Sequence, residues 1–97
     1  MEDINVIIEG CKRNHEVSQN QLYNYLSLKL MGVCMRYTKS KYTAEDYLQE
    51  AFIKIFIHIN QYSGNGSIEG WARRILINTI KLINKFQWQK KKKQNQF

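Results

Sequence analysis

No proline occurs anywhere in the 97 residues, and of the five glycines only Gly32 falls inside an apolar-periodic stretch rather than between such stretches. Proline removes an amide donor and ends or kinks a helix, so a chain without it, broken by glycine, favours helices joined by short loops. Apolar spacings of three and four predict four helices, at about 3–12, 15–38, 43–60 and 67–89. No internal repeat is present. The expected fold is all-α: a compact helical domain of three main helices plus a short N-terminal helix. Residues 1–89 are read as that one domain. Residues 90–97, KKKKQNQF, are read as a basic low-complexity tail that frays.

At 43% hydrophobic and 12% aromatic residues the chain can bury a single core of modest stability. Lys and Arg number 15 against 8 Asp and Glu, a net charge of +7 that points to an anionic partner, nucleic acid or a membrane surface. Part of that excess is the lysine run 90–93, which as a solvated tail has no specific role. Two cysteines, Cys11 and Cys34, make no disulfide framework, and Cys34, set in an apolar stretch, reads as a small buried hydrophobe. No metal site and no cofactor is expected, since the two His and two Cys do not cluster. No Ser/His/Asp or Cys/His constellation supports catalysis, so the chain is expected to bind rather than turn over. The acidic start MEDINVIIEG has too short an apolar run for a signal peptide. No segment has the length to span a bilayer, and a cytoplasmic location is expected.

The third predicted helix has two faces that both want partners. On a wheel of about 100° per residue, Ala44, Leu48, Ala51, Phe52, Ile55 and Ile59 form a core stripe. The opposite side carries Asp46, Gln49, Glu50, Lys54 and His58, with Ile53 and Ile57 in their midst. Apolar groups rimmed by charge mark a docking surface. The alternative is that another helix of the same domain covers the two isoleucines. Thr43 is the expected cap of this helix, with Glu45 and Asp46 at the positive end of its dipole.

Between the third and fourth helices lies the clearest loop, residues 62–67, where Gly64 and Gly66 allow positive φ and Ser67 suits an N-cap. In the fourth helix Ile68, Trp71, Ala72, Ile75, Thr79, Leu82, Ile83 and Phe86 are assigned to the core face. Arg74, Asn78, Lys81 and Lys85 line another strip, near Trp88. Three readings of that strip stand side by side: a solvated charged face, a membrane-surface helix, or a nucleic-acid interface. A glycine loop flanked by Tyr62 and Trp71 beside a row of cations has the parts of a single-strand site, where bases stack on rings. Both aromatics also fit a core role, Trp71 especially.

Taken together these segments resemble region 2 of bacterial RNA polymerase sigma factors, of the extracytoplasmic-function (ECF) type. AEDYLQEAFIKIF at 44–56 looks like its polymerase-binding helix. Residues 62–71 followed by ARRILINT at 72–79 look like its promoter-melting part, and Gln21-Leu22-Tyr23 with the stretch 32–37 is similar to its first long helix. The resemblance covers about residues 4–89, and three motifs in order are far more specific than any one of them.

The resemblance implies a domain that binds core RNA polymerase and recognises and melts the promoter minus-ten element. It implies that Asp46, Gln49 and Glu50 contact the clamp helices of the polymerase's largest subunit, with Ile53 and Ile57 as apolar neighbours. It implies that Tyr62, Ser63, Gly64, Asn65, Gly66 and Ser67 form the loop that captures a flipped base of the non-template strand. Tyr62 and Asn78 would line the base pocket, and Arg74, Lys81 and Lys85 would face DNA backbone. An anti-sigma factor is a further partner that the resemblance admits. The chain departs from the pattern at Leu82 and Lys85, where the family usually carries Asp and then Arg, so an intrahelical ion pair is missing and Lys85 lacks the planar fork of Arg. The family's second helical domain, which reads the minus-thirty-five element, is not within the 97 residues, so the chain is expected to be one domain of a longer protein or a shortened one. The rival reading is a helical protein–protein interaction domain without DNA-melting activity.

Overall fold

A computed structural model describes residues 3–94, with side chains described as far as residue 90. Four α-helices and one short 3-10 turn account for nearly all of it: α1 (Ile4–Lys12), α2 (Glu16–Tyr37), α3 (Lys41–His58), a turn at Ile59–Gln61, and α4 (Ile68–Gln94). The all-α architecture with three main helices and a short first one is as expected. No strand occurs among the described residues.

Local chemistry sets each boundary. Asp3 caps α1 by accepting the Asn5 amide at 3.1 Å. At the other end Asn14 takes a left-handed conformation, φ 62°, and the amides of Asn14 and His15 return to the carbonyls of Cys11 and Gly10. That paired closure satisfies carbonyls the helix would otherwise leave open, and asparagine tolerates the required φ. Gly10 lies within α1, not at a break, because α2 passes close by: a Cβ there would overlap the Ser18 side chain. Gly70 likewise lies within α4.

The start of α3 corrects the expected cap. Ser40, not Thr43, is the N-cap, and its hydroxyl accepts the Thr43 amide at 3.2 Å. Thr43 is the third helical residue, where the amide to be satisfied lies. For α4 the expectation holds: Ser67 Oγ accepts the Gly70 amide at 3.0 Å. Gly64 and Gly66 do adopt positive φ, 89° and 78°.

The core gathers Ile7, Ile8 and Cys11 of α1, Leu22, Leu26, Leu30, Val33 and Cys34 of α2, the whole expected stripe of α3, and the first half of α4. Tyr47 joins it; its ring is buried and its hydroxyl donates to Asn84 Oδ1 at 2.8 Å. Helix α2 packs against each of the other three helices, and α3 also packs on α4. Burial pushes the Cys11 and Cys34 thiols up from their ordinary value; for Cys34 a backbone hydrogen bond partly offsets this.

The wheel for α4 is rotated relative to expectation. Its buried line is Ile68, Ala72, Leu76, Thr79 and Ile80, with Ile83 partly buried. Leu76 and Ile80 fall outside the expected core face, yet both are fully buried, whereas Leu82 is 46% and Phe86 65% exposed. An aromatic at each end of the segment, Trp71 and Phe86, draws the inferred stripe to one side. The real one follows the aliphatic row that meets α2 and α3. Thr79 is satisfied within the helix, its hydroxyl donating to the Ile75 carbonyl at 2.7 Å. Helix α4 also continues past residue 89 to Gln94, so the first part of the expected fraying tail is helical, and residues 95–97 lie outside the described ones. The described side chains from 84 to 90 are all exposed, so α4 outruns the core.

Candidate nucleic-acid interface and docking face

Helix α3 buries one stripe and turns the other outward. Asp46, Gln49 and Glu50 are exposed, and between them Ile53 and Ile57 are 50% and 66% exposed. No helix of the domain covers the two isoleucines, which removes the alternative that they are internal. Among the described residues neither Glu45, Asp46 nor Glu50 has an ion-pair partner. The face thus offers uncompensated carboxylates around apolar groups, the arrangement that a basic, partly apolar partner complements.

A groove runs along each side of this face. Toward α2 a hollow of about 580 Å³ is lined by Tyr23, Met31, Glu45, Leu48, Gln49, Phe52, Ile53 and Phe56. Its wall is aromatic: the rings of Tyr23 and Phe52 lie 4.6 Å apart, and those of Phe52 and Phe56 5.9 Å apart. Toward α4 a second hollow of about 320 Å³ joins Asp46, Gln49 and Glu50 to Ile83 and Gln87. Sequence reasoning missed Tyr23 and Phe56, because only the pairing of α2 with α3 brings them to the edge of the face.

The loop is held from beneath. Tyr62 is buried, its ring tilted against Trp71 at 5.6 Å between centroids. Its hydroxyl donates to the Gly66 carbonyl at 2.6 Å, closing the loop on itself. Its own carbonyl accepts from Lys12 Nζ at 3.0 Å, which ties the loop to α1. Residues 63–67 are exposed above this peg, and the Asn65 amide leans on Ser63 Oγ at 3.4 Å. Tyr62 therefore shapes the loop and does not present an open ring. Trp71 is half-buried and serves core and surface together.

Arg74, Asn78, Lys81 and Lys85 are all exposed, on the side of α4 away from its buried line. Asn78 stands two turns beyond Trp71 on the same side, about 10 Å along the axis at 1.5 Å per residue. Tyr62 packs on Trp71, and among the described residues no hydrogen bond joins Tyr62 to Asn78. Among the described residues no group of three or more His, Cys, Asp and Glu could hold a metal ion, and no helix is long and apolar enough to cross a membrane.

The comparisons with known proteins converge on one family. Residues 22–91 match the family model described as sigma-70 region 2. The chain is 29% identical over 75 residues to the RNA polymerase sigma-H factor of Pseudomonas aeruginosa, covering 77% of this chain and 39% of that protein. It is equally 29% identical over 75 residues to the ECF RNA polymerase sigma-E factor of Haemophilus influenzae, again covering 77% of this chain and 39% of the relative. The chain thus matches about two fifths of the length of these relatives. No solved structure matches it significantly. The matched segment holds most of α2, all of α3, the loop and nearly all of α4, and on that ground the chain belongs to the sigma-70 region 2 family.

Proposed function

We propose that this chain is the part of a sigma factor that anchors on core RNA polymerase and opens the promoter minus-ten element. Helix α3 docks on the clamp helices of the largest subunit through Asp46, Gln49 and Glu50, with Ile53 and Ile57 filling the apolar centre. The loop 62–67 and the outward strip of α4 take the non-template strand. Arg74, Lys81 and Lys85 hold backbone phosphates, while the exposed loop and Asn78 contact an unstacked base. The work is binding, not turnover: extruding a base costs a few kcal/mol, and stacking with pocket contacts returns about that much.

The observation that carries this reading is the α3 face, where two half-exposed isoleucines stand among unpaired carboxylates. A face of that kind has no use inside the domain and fits a basic partner helix. Titration of a clamp-helix fragment into the wild-type chain and into Asp46→Arg tests it. Binding by the first and not the second is expected, and equal binding by both would remove the assignment. A parallel titration with single-stranded oligonucleotide across a salt series tests the α4 strip, since phosphate contacts give a steep salt slope and a protein-only interface need not.

A further inference from the structure

A second cationic surface lies on the other flank of α4, away from the strip just described. Lys29, Gly32 and Arg36 of α2 face Glu69 and Arg73 of α4 across a groove of about 390 Å³. The α2 members recur at spacings of three and four, so they stand in a row on one side of that helix. Gly32 leaves the floor open: a Cβ there would meet nothing within 4 Å. Tyr25 extends the row by one turn, with Lys29 Nζ 4.6 Å from its ring centre.

One carboxylate holds the groove together. Glu69 accepts from Arg73 at 3.1 Å and from Lys29 at 3.5 Å. Among the described residues Arg36 has no ion-pair partner, so three cations face a single anion. The side chains of Lys29 and Arg73 are each 46% exposed, which leaves donors free for a further anion. Glu69 and Arg73 belong to the first two turns of α4, directly after the loop, so the groove starts within about 8 Å of Ser67 along the helix.

We propose that this groove binds a backbone phosphate of the nucleic-acid strand whose bases meet the loop. The inference rests on the strand-binding reading above and extends it to α2. A strand, rather than a free anion, is the ligand that a row of cations beside an aromatic ring fits, because phosphate and base are held in alternation. The groove contributes affinity without sequence preference, and Glu69 partly neutralises its cations until the strand arrives.

The test is fluorescence anisotropy of the full chain with a labelled single-stranded oligonucleotide across a salt series. Arg36→Gln with Arg73→Gln is compared with Lys39→Gln with Lys41→Gln, an equal reduction of charge on exposed residues outside the groove. The groove pair is expected to weaken binding about fivefold more than the control pair, as for charged hydrogen bonds removed at an exposed site, and to reduce the log–log salt slope by about 0.7 for each phosphate no longer neutralised. Glu69→Gln is expected to tighten binding more than Glu16→Gln, which removes the same charge at the start of α2, outside the groove. Equal effects within either comparison would overturn the proposal. Failure of the loop reading has a different signature: Asn78→Ala would leave the ratio of matched to scrambled strands unchanged, while the groove pair would still lower both.

Discussion

Replacing Tyr62 by phenylalanine removes one oxygen and leaves the ring where it is. The hydroxyl's only hydrogen bond among the described residues is the one to the Gly66 carbonyl, and at 2.6 Å it is short. Gly66 is exposed, so water can satisfy its carbonyl after the change and no buried group is orphaned. The net loss is then that of one hydrogen bond, about 1 kcal/mol. That bond joins the two ends of a loop that turns at two glycines, so its loss falls on the loop before it reaches the helices. A bias of about 1 kcal/mol is a factor of about five in the ratio of closed to open loop, and binding that needs the closed loop weakens by up to that factor. The assay is anisotropy with a strand carrying the preferred minus-ten sequence, selected from a randomised pool, and with a scrambled strand. Tyr62→Phe should weaken the first by up to about fivefold and leave the second unchanged, with the melting temperature lowered by less than the ~4–8 °C that a full 1 kcal/mol of global stability is worth in a domain this small. Tyr62→Ala should instead destabilise the whole domain by about 3–5 kcal/mol, because the ring is part of the core. Equal losses for both strands with Tyr62→Phe would refute the idea that this bond shapes a base-reading loop.

Asp46→Arg or Glu50→Arg should cost about 2 kcal/mol or more in affinity for a clamp-helix fragment by calorimetry, with the melting temperature nearly unchanged since both side chains face outward. Chemical denaturation should rank Leu76→Ala, at about 2–5 kcal/mol, well above Leu82→Ala and Arg74→Ala, and a reversed order would mean that the buried line of α4 is misplaced. Lys81→Gln with Lys85→Gln should weaken binding of every strand alike and flatten its salt dependence, read in the same anisotropy series. Both thiols should alkylate more slowly in the folded chain than in denaturant. Because burial raises their pKa, they hold protons in the folded state that the unfolded state releases. Stability from this source is therefore complete below the ordinary thiol value of 9.0 and declines as pH rises beyond it, which denaturation at a series of alkaline pH values would follow.

Much of this was legible in the chain because helical periodicity is a local signal. The stripe of α3 from Ala44 to Ile59 could be drawn from spacing alone, and so could Ile53 and Ile57 on its far side. Whether those isoleucines were covered could not be, since that depends on where α2 and α4 lie. The same dependence hid Tyr23 and Phe56, and the facing of Arg36 by Arg73. Helix α4 misled for another reason. Its apolar residues outnumber the places in the core, so the wheel admits two stripes about 60° apart, and only packing against α2 and α3 selects Leu76 and Ile80 over Leu82 and Phe86. For Tyr62, beside a flexible loop, spacing left a base-stacking and a core role equally open. Its burial follows from a hydroxyl reaching four residues ahead, which no spacing rule announces.

The overrun of α4 past its core has a consequence for how the domain breathes. Amides near Leu76 and Ile80 can exchange with solvent only when the whole bundle opens, because the residues that cover them come from other helices. Beyond Asn84, which Tyr47 holds, the exposed side chains as far as residue 90 leave little tertiary packing to protect the hydrogen-bond ladder, and a helix end of so few residues is marginal in water by itself. Deuterium uptake should therefore change abruptly along one continuous helix, slow up to about Ile83 and fast beyond it. Any partner that settles on the distal turns would be visible as slowed exchange there, without altering a single amide in the core.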